Sequence, residues 1–147
     1  DLMVIGDKPD DIKVKNSRPF HGELEKLLDA MLKAIGFDKR NTYYTNLRCN
    51  PKKIDTNLDL ELEIIKKQIL IVEPKIIIMF GAEATRLLTN NEDSIFKSRG
   101  HWYDINIDDN LDPILGISMF HPRYILAHPE SKKETWKDLK EVRSKFT

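Results

Sequence analysis

The sequence predicts a three-layer α/β/α sandwich built on a mostly parallel central sheet of four strands. Short apolar runs typical of buried strands alternate along the chain with longer segments of helical periodicity. Glycine or proline bounds several of these segments. Such alternation favours a parallel sheet covered by helices on both faces. At 147 residues, the chain is expected to form a single domain, residues 1–147, around one core.

The first half of the chain supplies two strands and two helices. Residues 2–5 form an apolar strand that ends at Gly6, and the β-branched and aromatic residues 42–45 form a second strand. Between them, apolar residues on one stripe predict a helix over 22–36. A second helix is predicted to end before Pro74. Its apolar stripe consists of Leu58, Leu62, Ile65, Ile69 and Val72.

The second half repeats this alternation. Residues 76–80 are the continuous apolar run of a central parallel strand, and 82–88 follow as a short helix. Residues 114–120 predict another strand, and a last helix is predicted from Pro129. We expect Trp136, Leu139 and Val142 to face inward on that helix. Segment 89–112 is the least regular, and 101–107 can be read as a further strand or as loop.

Composition excludes several classes of protein. No apolar run approaches the 18 or so residues of a membrane span. The single cysteine allows no internal disulfide and no all-cysteine metal site within this chain. The four histidines show no metal-ligand spacing, and neither Gly-x-Gly-x-x-Gly nor a P-loop is present. Because the chain begins at Asp1 and enters an apolar run at once, we expect an upstream segment.

The carboxyl ends of the predicted strands collect polar side chains. Ligands of open parallel sheets bind at that edge, which we call the rim. Asp7, Asn46 and His121 each follow a predicted strand and are expected to meet there. Each also has a structural interpretation, namely a cap, a turn residue and a buried histidine before proline.

The rim is also locally basic. Lys and Arg balance Asp and Glu over the whole chain, 24 against 24. Four segments that border the rim nevertheless carry a basic excess: 8–22, 46–56 and 96–101 at +2 each, and 121–128 at +1. Clustered basic side chains can neutralise phosphates even on a neutral protein, although a solvated surface is the alternative.

At these residues the sequence resembles the uracil-DNA glycosylase superfamily, and within it the family-4, iron–sulfur branch. The likeness runs in order over nearly the whole chain. Its main segments are Gly-Asp-Lys-Pro-Asp at 6–10, Ser-Arg-Pro-Phe-His-Gly at 17–22, Tyr-Tyr-Thr-Asn-Leu-Arg-Cys-Asn-Pro at 43–51, and His-Pro-Arg-Tyr-Ile-Leu at 121–126.

The resemblance implies roles for the rim residues. His121 would stabilise the uracil anion as it leaves, and Asp7 would position a water or offset the charge on the sugar. Asn46 would pair with the base edge and Phe20 would stack on the ring. Lys8 and Pro9 would complete the substrate-binding loop.

The resemblance also implies a DNA-binding surface. Segment 121–126 is expected to press on the minor groove as a loop, with Tyr124 in it and Ile125 or Leu126 as an apolar wedge. The phosphate contacts are assigned to Ser98, Arg99 and Arg123.

The sequence departs from the family at several positions. Asp7 stands for the family's glutamate, and Asp10 and Ser17 stand for glycines. Lys13 replaces an acidic residue that shapes the pocket, which leaves the exclusion of thymine open. Family-4 enzymes hold a [4Fe–4S] cluster on four cysteines.

Of those four cysteines, two precede the first strand and lie outside this chain. The third is Cys49, and the fourth position falls at about Glu61. A four-thiolate cluster needs four thiolates, so the domain is expected to work without a cofactor or metal, with Cys49 an ordinary buried thiol or a relic.

The expected function is therefore hydrolysis of the N-glycosidic bond of flipped-out uracil in DNA, which leaves an abasic site. The expected partner is uracil-containing DNA and no membrane. The chain is expected to be a monomer in the cytoplasm, with the nucleoid if bacterial. The alternative is a catalytically impaired DNA- or partner-binding module of a larger replication or repair protein, and a small-molecule α/β enzyme is a weaker third interpretation.

Overall fold

The computed structural model describes residues 1–6, 22–47 and 58–146, the side chains of residues 58 and 59 excepted. Within these ranges the chain alternates strands and helices as the sequence predicts. The strands are β1 (Leu2–Gly6), β2 (Thr42–Asn46), β3 (Ile76–Phe80), β4 (Trp102–Ile105) and β5 (Ile114–Met119). The helices are α1 (Gly22–Ala34), α2 (Leu58–Val72), α3 (Ala82–Thr89), α4 (Ile95–Ser98), α5 (Pro122–Ala127) and α6 (Lys132–Ser144).

The strands form one five-stranded sheet in the order β2-β1-β3-β5-β4. Four of them, β2, β1, β3 and β5, run parallel, and β4 pairs antiparallel with β5 at the edge. The predicted mostly parallel α/β/α class is confirmed, but the predicted count of four strands is wrong by this edge strand. Because β4 lies at the edge and is only partly buried, it lacks the continuous apolar run that marks the central strands.

Each face of the sheet buries its own apolar core. Side chains alternate along a strand, so Leu2 and Val4 of β1 face one cluster while Met3 and Ile5 face the other. The first cluster includes residues of α1, α5 and α6, and the second includes residues of α2 and α3. Helices therefore cover both faces of a fully buried β1 and β3.

The C-terminal segment differs from the prediction in two ways. Residues 122–127, expected as loop, form helix α5, and a 3₁₀ turn, Pro129–Ser131, separates it from α6. On α6, Leu139 and Val142 are buried as expected, but Trp136 is 41% exposed. Its position on the flank of the buried stripe leaves one side of the indole in solvent. Among the residues described, no helix is both long and apolar enough to span a bilayer.

Candidate active site

Asn46 lies at one side of the rim, as the last residue of β2. It pairs in register with Gly6, the last residue of β1. The next backbone N–H, that of Leu47, donates to the Gly6 carbonyl oxygen over 2.9 Å. Only 2% of Asn46 is exposed. A side chain held this tightly on a strand end has little freedom to turn, as a residue that reads the edge of a base requires.

Strands β2 and β3 lie on opposite sides of β1, and this reversal of strand order creates a topological switch point. From β1 the chain goes to β2 on one side, and then to β3 on the other. In open α/β sheets the crevice outside such a point is where ligands bind. Here the crevice lies between the ends of β1 and β3, with Asn46 on one flank and the segment that follows β5 on the other. Three strand spacings, about 14 Å of backbone, separate those flanks.

His121 lies on the second flank, two residues after the end of β5, and caps helix α5. The backbone N–H of Arg123 donates to Nδ1 of His121 over 3.0 Å. An Nδ1 atom that accepts a hydrogen bond keeps its lone pair, so the neutral ring carries its proton on Nε2. The residue is 7% exposed. His121 is therefore held as a neutral imidazole with one oriented N–H donor.

Two residues at the end of β3 support His121. The ring of Phe80 meets the imidazole edge to face, with centroids 6.2 Å apart. Gly81 follows with φ of 97°, a conformation that favours glycine, and its N–H donates to the Met119 carbonyl oxygen over 3.0 Å. The end of β3 is thus tied to the end of β5 immediately before His121.

Three buried hydroxyls lie behind this turn. Thr85 Oγ1 donates to the Gly81 carbonyl oxygen over 2.9 Å and lies 2.7 Å from Ser118 Oγ. Ser98 Oγ lies 3.3 Å from the same Ser118 hydroxyl. Because Ser98 is only 1% exposed, its side chain cannot reach a phosphate from this position. The predicted phosphate contact of Ser98 is corrected: its hydroxyl instead joins α4 to β5.

Arg99 is committed to an ion pair. Its Nε and Nη2 donate to the two carboxylate oxygens of Asp138 over 3.1 and 2.8 Å, and its guanidinium lies 5.9 Å from the centre of the Phe120 ring. Burial raises the pKa of the Asp138 carboxyl, and the hydrogen bonds and charge of Arg99 offset that rise only in part. Two donors of the guanidinium thus satisfy a buried acid, and the phosphate contact of Arg99 remains a prediction.

Replacing Arg99 with methionine is expected to lower the free energy of unfolding by about 3 kcal/mol at pH 7, because Asp138 is left buried without its partner. The folded-state pKa of Asp138 then rises further above its unfolded value. Protonation of Asp138 removes the buried charge, so lost stability is recovered as the pH falls through the folded-state pKa. The difference in the free energy of unfolding between the variant and the wild type should therefore shrink toward pH 4. Denaturant unfolding at both pH values, with Arg99→Lys as a milder control, measures this. An equal deficit at both would contradict it.

Helix α5 separates the two residues predicted as a wedge. Ile125 is 1% exposed and packs in the core with α1 and α6, whereas Leu126 is 41% exposed. The helical geometry places neighbouring residues on different faces, so Ile125 is corrected to a core residue and Leu126 remains the candidate. Arg123 and Tyr124 are half-buried on the same helix.

Several predicted site residues lie outside the described ranges: Asp7, Lys8, Pro9, Phe20 and Cys49. One exposed aromatic side chain near the rim was not predicted. Phe96 of α4 is 64% exposed. No sequence signal could have identified it, because segment 89–112 shows neither strand nor helix periodicity.

Comparison with known proteins decides the family. The profile of the uracil DNA glycosylase superfamily matches residues 1–140. The chain belongs to the uracil-DNA glycosylase superfamily.

Individual relatives agree with this membership. A protein named type-4 uracil-DNA glycosylase from Sulfurisphaera tokodaii is 31% identical over 156 residues, which cover 97% of this chain and 69% of the relative. Proteins of the same name from Saccharolobus solfataricus and Archaeoglobus fulgidus are 30% and 25% identical. The matched regions cover 97% of this chain in both cases, and 70% and 75% of the two relatives.

The residues of this superfamily member do not fit a four-thiolate iron–sulfur cluster. The chain supplies one cysteine, Cys49. The resemblance places the fourth ligand position at about Glu61, a buried residue of α2 that offers a carboxylate rather than a thiolate. In the described part of the chain no group of three or more His, Cys, Asp or Glu side chains could hold a metal ion. No chemical step is therefore assigned to a cluster.

Proposed function

We propose that the chain is a uracil-DNA glycosylase that hydrolyses the N-glycosidic bond of a flipped-out uracil, releases the free base and leaves an abasic site. The observation that carries the proposal is the hydrogen bond from the Arg123 N–H to Nδ1 of His121, which fixes the orientation of the imidazole and places its proton on Nε2. Family membership and the position of Asn46 across the switch point support it.

His121 would act on the leaving group. As the bond from the sugar C1′ to uracil N1 breaks, negative charge grows on the base and reaches O2. A neutral Nε2–H donor aimed at O2 stabilises that charge more than it stabilises the uncharged substrate, which is the condition for catalysis. The bond to Nδ1 and the Phe80 contact hold the ring, so no reorganisation is needed during the reaction.

Asn46 would select the base. Uracil presents an N–H donor at N3 and an acceptor at O4, and a side-chain amide can pair with both. Cytosine presents the reverse pattern, an acceptor at N3 and a donor at N4. An amide fixed in one orientation by burial at the end of β2 would therefore leave polar groups unpaired against cytosine, which gives strong discrimination.

The remaining roles rest on the resemblance of the loop residues. Asp7 would orient the water whose oxygen forms the new bond to C1′, or offset the positive charge on the sugar. Phe20 would stack on the uracil ring, with Lys8 and Pro9 beside it. Gly6, the residue before Asp7, pairs in register with Asn46.

DNA contact would come from α5. Arg123 would meet a phosphate, Tyr124 would lie beside it, and the exposed Leu126 would enter the minor groove as a wedge when the nucleotide leaves the stack. We propose that one copy of the chain suffices for this contact.

The decisive test is a release assay. The protein is incubated with single- and double-stranded oligonucleotides that contain one uracil, and free base and alkali-sensitive abasic sites are measured. Release from the uracil strand, and none from the matching cytosine strand, is expected, and a thymine strand tests the exclusion that Lys13 leaves open. Salt-sensitive DNA binding without release would overturn the proposal and favour a non-catalytic DNA-binding module.

A further inference from the structure

Phe96 is the starting observation. It lies on the four-residue helix α4, and 64% of it is exposed, more than any other aromatic residue in the described ranges. An apolar ring this exposed contributes little to the core. Of the other residues of α4, Ile95 is half-buried and Ser98 is buried, so the ring projects from a helix that is anchored to the core.

Phe96 belongs to a group of rings that we call the aromatic cluster: Phe96, Phe120, Tyr124 and His128. The Phe96 centroid is 5.7 Å from both the Phe120 and the Tyr124 centroids, with ring planes at 67° and 72°. Phe120 and Tyr124 lie 4.7 Å apart, and Tyr124 and His128 4.5 Å apart. Both neighbours of Phe96 meet it at steep angles, so neither covers it in parallel stacking.

The aromatic cluster is continuous with the candidate active site. Phe120 immediately precedes His121, and the Tyr124 N–H donates to the His121 carbonyl oxygen over 2.9 Å. Phe96 is thus one ring contact away from residues bonded to His121. The path inferred for a strand whose nucleotide is flipped toward His121 runs past this cluster.

Two cationic residues belong to the helices that carry the aromatic cluster. Lys97 is exposed next to Phe96, and Arg123 is half-buried on α5. Glu92 and Asp93 precede α4 in the sequence, and Glu130 lies 3.4 Å from His128, so acidic groups are present as well. Exposed aromatic rings beside basic groups are the combination that binds single-stranded nucleic acid.

We propose that Phe96 is a stacking platform for an unpaired nucleobase of the target strand, beside the flipped nucleotide. Every base has a π-face, so this contact adds affinity without sequence preference. The inference rests on the proposed function, because it takes the strand's position from His121. It adds a site that holds the strand where flipping has removed stacking.

The test uses uracil-free single-stranded DNA that contains the fluorescent base 2-aminopurine, titrated with the wild-type chain and with Phe96→Ala, Phe96→Trp and Phe96→Leu. The wild-type and Trp chains should quench the base and bind with similar affinity. The Ala and Leu chains should lose the quenching and bind about 5- to 150-fold more weakly. Leu111→Ala, at an exposed leucine before β5, is the matched control and should bind as the wild type does.

Three outcomes would overturn the inference. These are unchanged affinity in Phe96→Ala, wild-type affinity in Phe96→Leu, or an equal loss in Leu111→Ala. The Leu result would indicate apolar contact without stacking, as for a protein partner. Failure of the proposed function is separate, because uracil release by the wild-type chain is measured independently. If the wild-type chain releases uracil and Phe96→Ala binds single-stranded DNA as well as the wild type, only the platform is rejected. If Phe96→Ala loses binding but the wild-type chain releases no uracil, only the glycosylase activity is rejected.

Discussion

Replacing His121 with alanine is expected to slow uracil release by about a hundred- to a thousandfold, the usual cost of removing one donor to a developing anion. The reason is the Nε2–H donor, which the bond at Nδ1 fixes. Single-turnover release from an oligonucleotide that contains one uracil measures the chemical step. Binding of the same DNA should change little, because the lost interaction strengthens only in the transition state.

A matched variant separates this chemistry from folding. His121 also caps α5, so alanine costs about 1 kcal/mol of stability as well. Asparagine at position 121 can accept the Arg123 N–H as a cap but cannot place a donor where Nε2 lies. His121→Asn should therefore be as stable as the wild type and as slow as His121→Ala. If His121→Asn releases uracil at the wild-type rate, His121 has no role in the chemical step.

Replacing Asn46 with alanine is expected to lower kcat/KM for uracil release by about a hundredfold. Two hydrogen bonds to the base edge, at about 1.5 kcal/mol each, give this figure. The loss should appear in both binding and release, since the same edge is held before and during bond cleavage. Steady-state rates on uracil strands, with competition by free uracil, measure it. Competition by free uracil should also weaken in the variant.

Asn46→Gln is the matched control, because it keeps the amide but moves it by one methylene. It should lose nearly as much as alanine, since Asn46 is buried and its position is fixed by pairing with Gly6. A double variant, Asn46→Ala with His121→Ala, that still releases uracil would show that the rim is assigned to the wrong residues.

The fold follows from local pattern because its central strands are buried on both faces. Residues 76–80 are fully buried, so their apolar run is visible without any knowledge of their neighbours. Strand β4 escapes firm prediction for the opposite reason, because an edge strand has one free side. The start of α5 was hidden by His121 and Pro122, which resemble a loop in sequence although proline suits the first turn of a helix.

The site was predictable only as far as strand ends determine it. Asn46 and His121 follow from the rule that parallel strands present their carboxyl ends at one edge. The outward contacts did not follow, since burial depends on distant partners. Asp138, which engages Arg99, lies 39 residues further along the chain. The single-domain prediction for residues 1–147 and the roles of Asp7 and Phe20 remain predictions.

The ion pair between Arg99 and Asp138 connects helix α6 to the rim. Asp138 belongs to α6, Arg99 lies over the Phe120 ring, and Phe120 is bonded to His121. The C-terminal helix α6 is thus connected to the imidazole through Arg99 and Phe120. If the proposed function holds, a ligand or fusion that pulls α6 away from the sheet is expected to disturb the position of the His121 imidazole, and uracil release should fall before DNA affinity does.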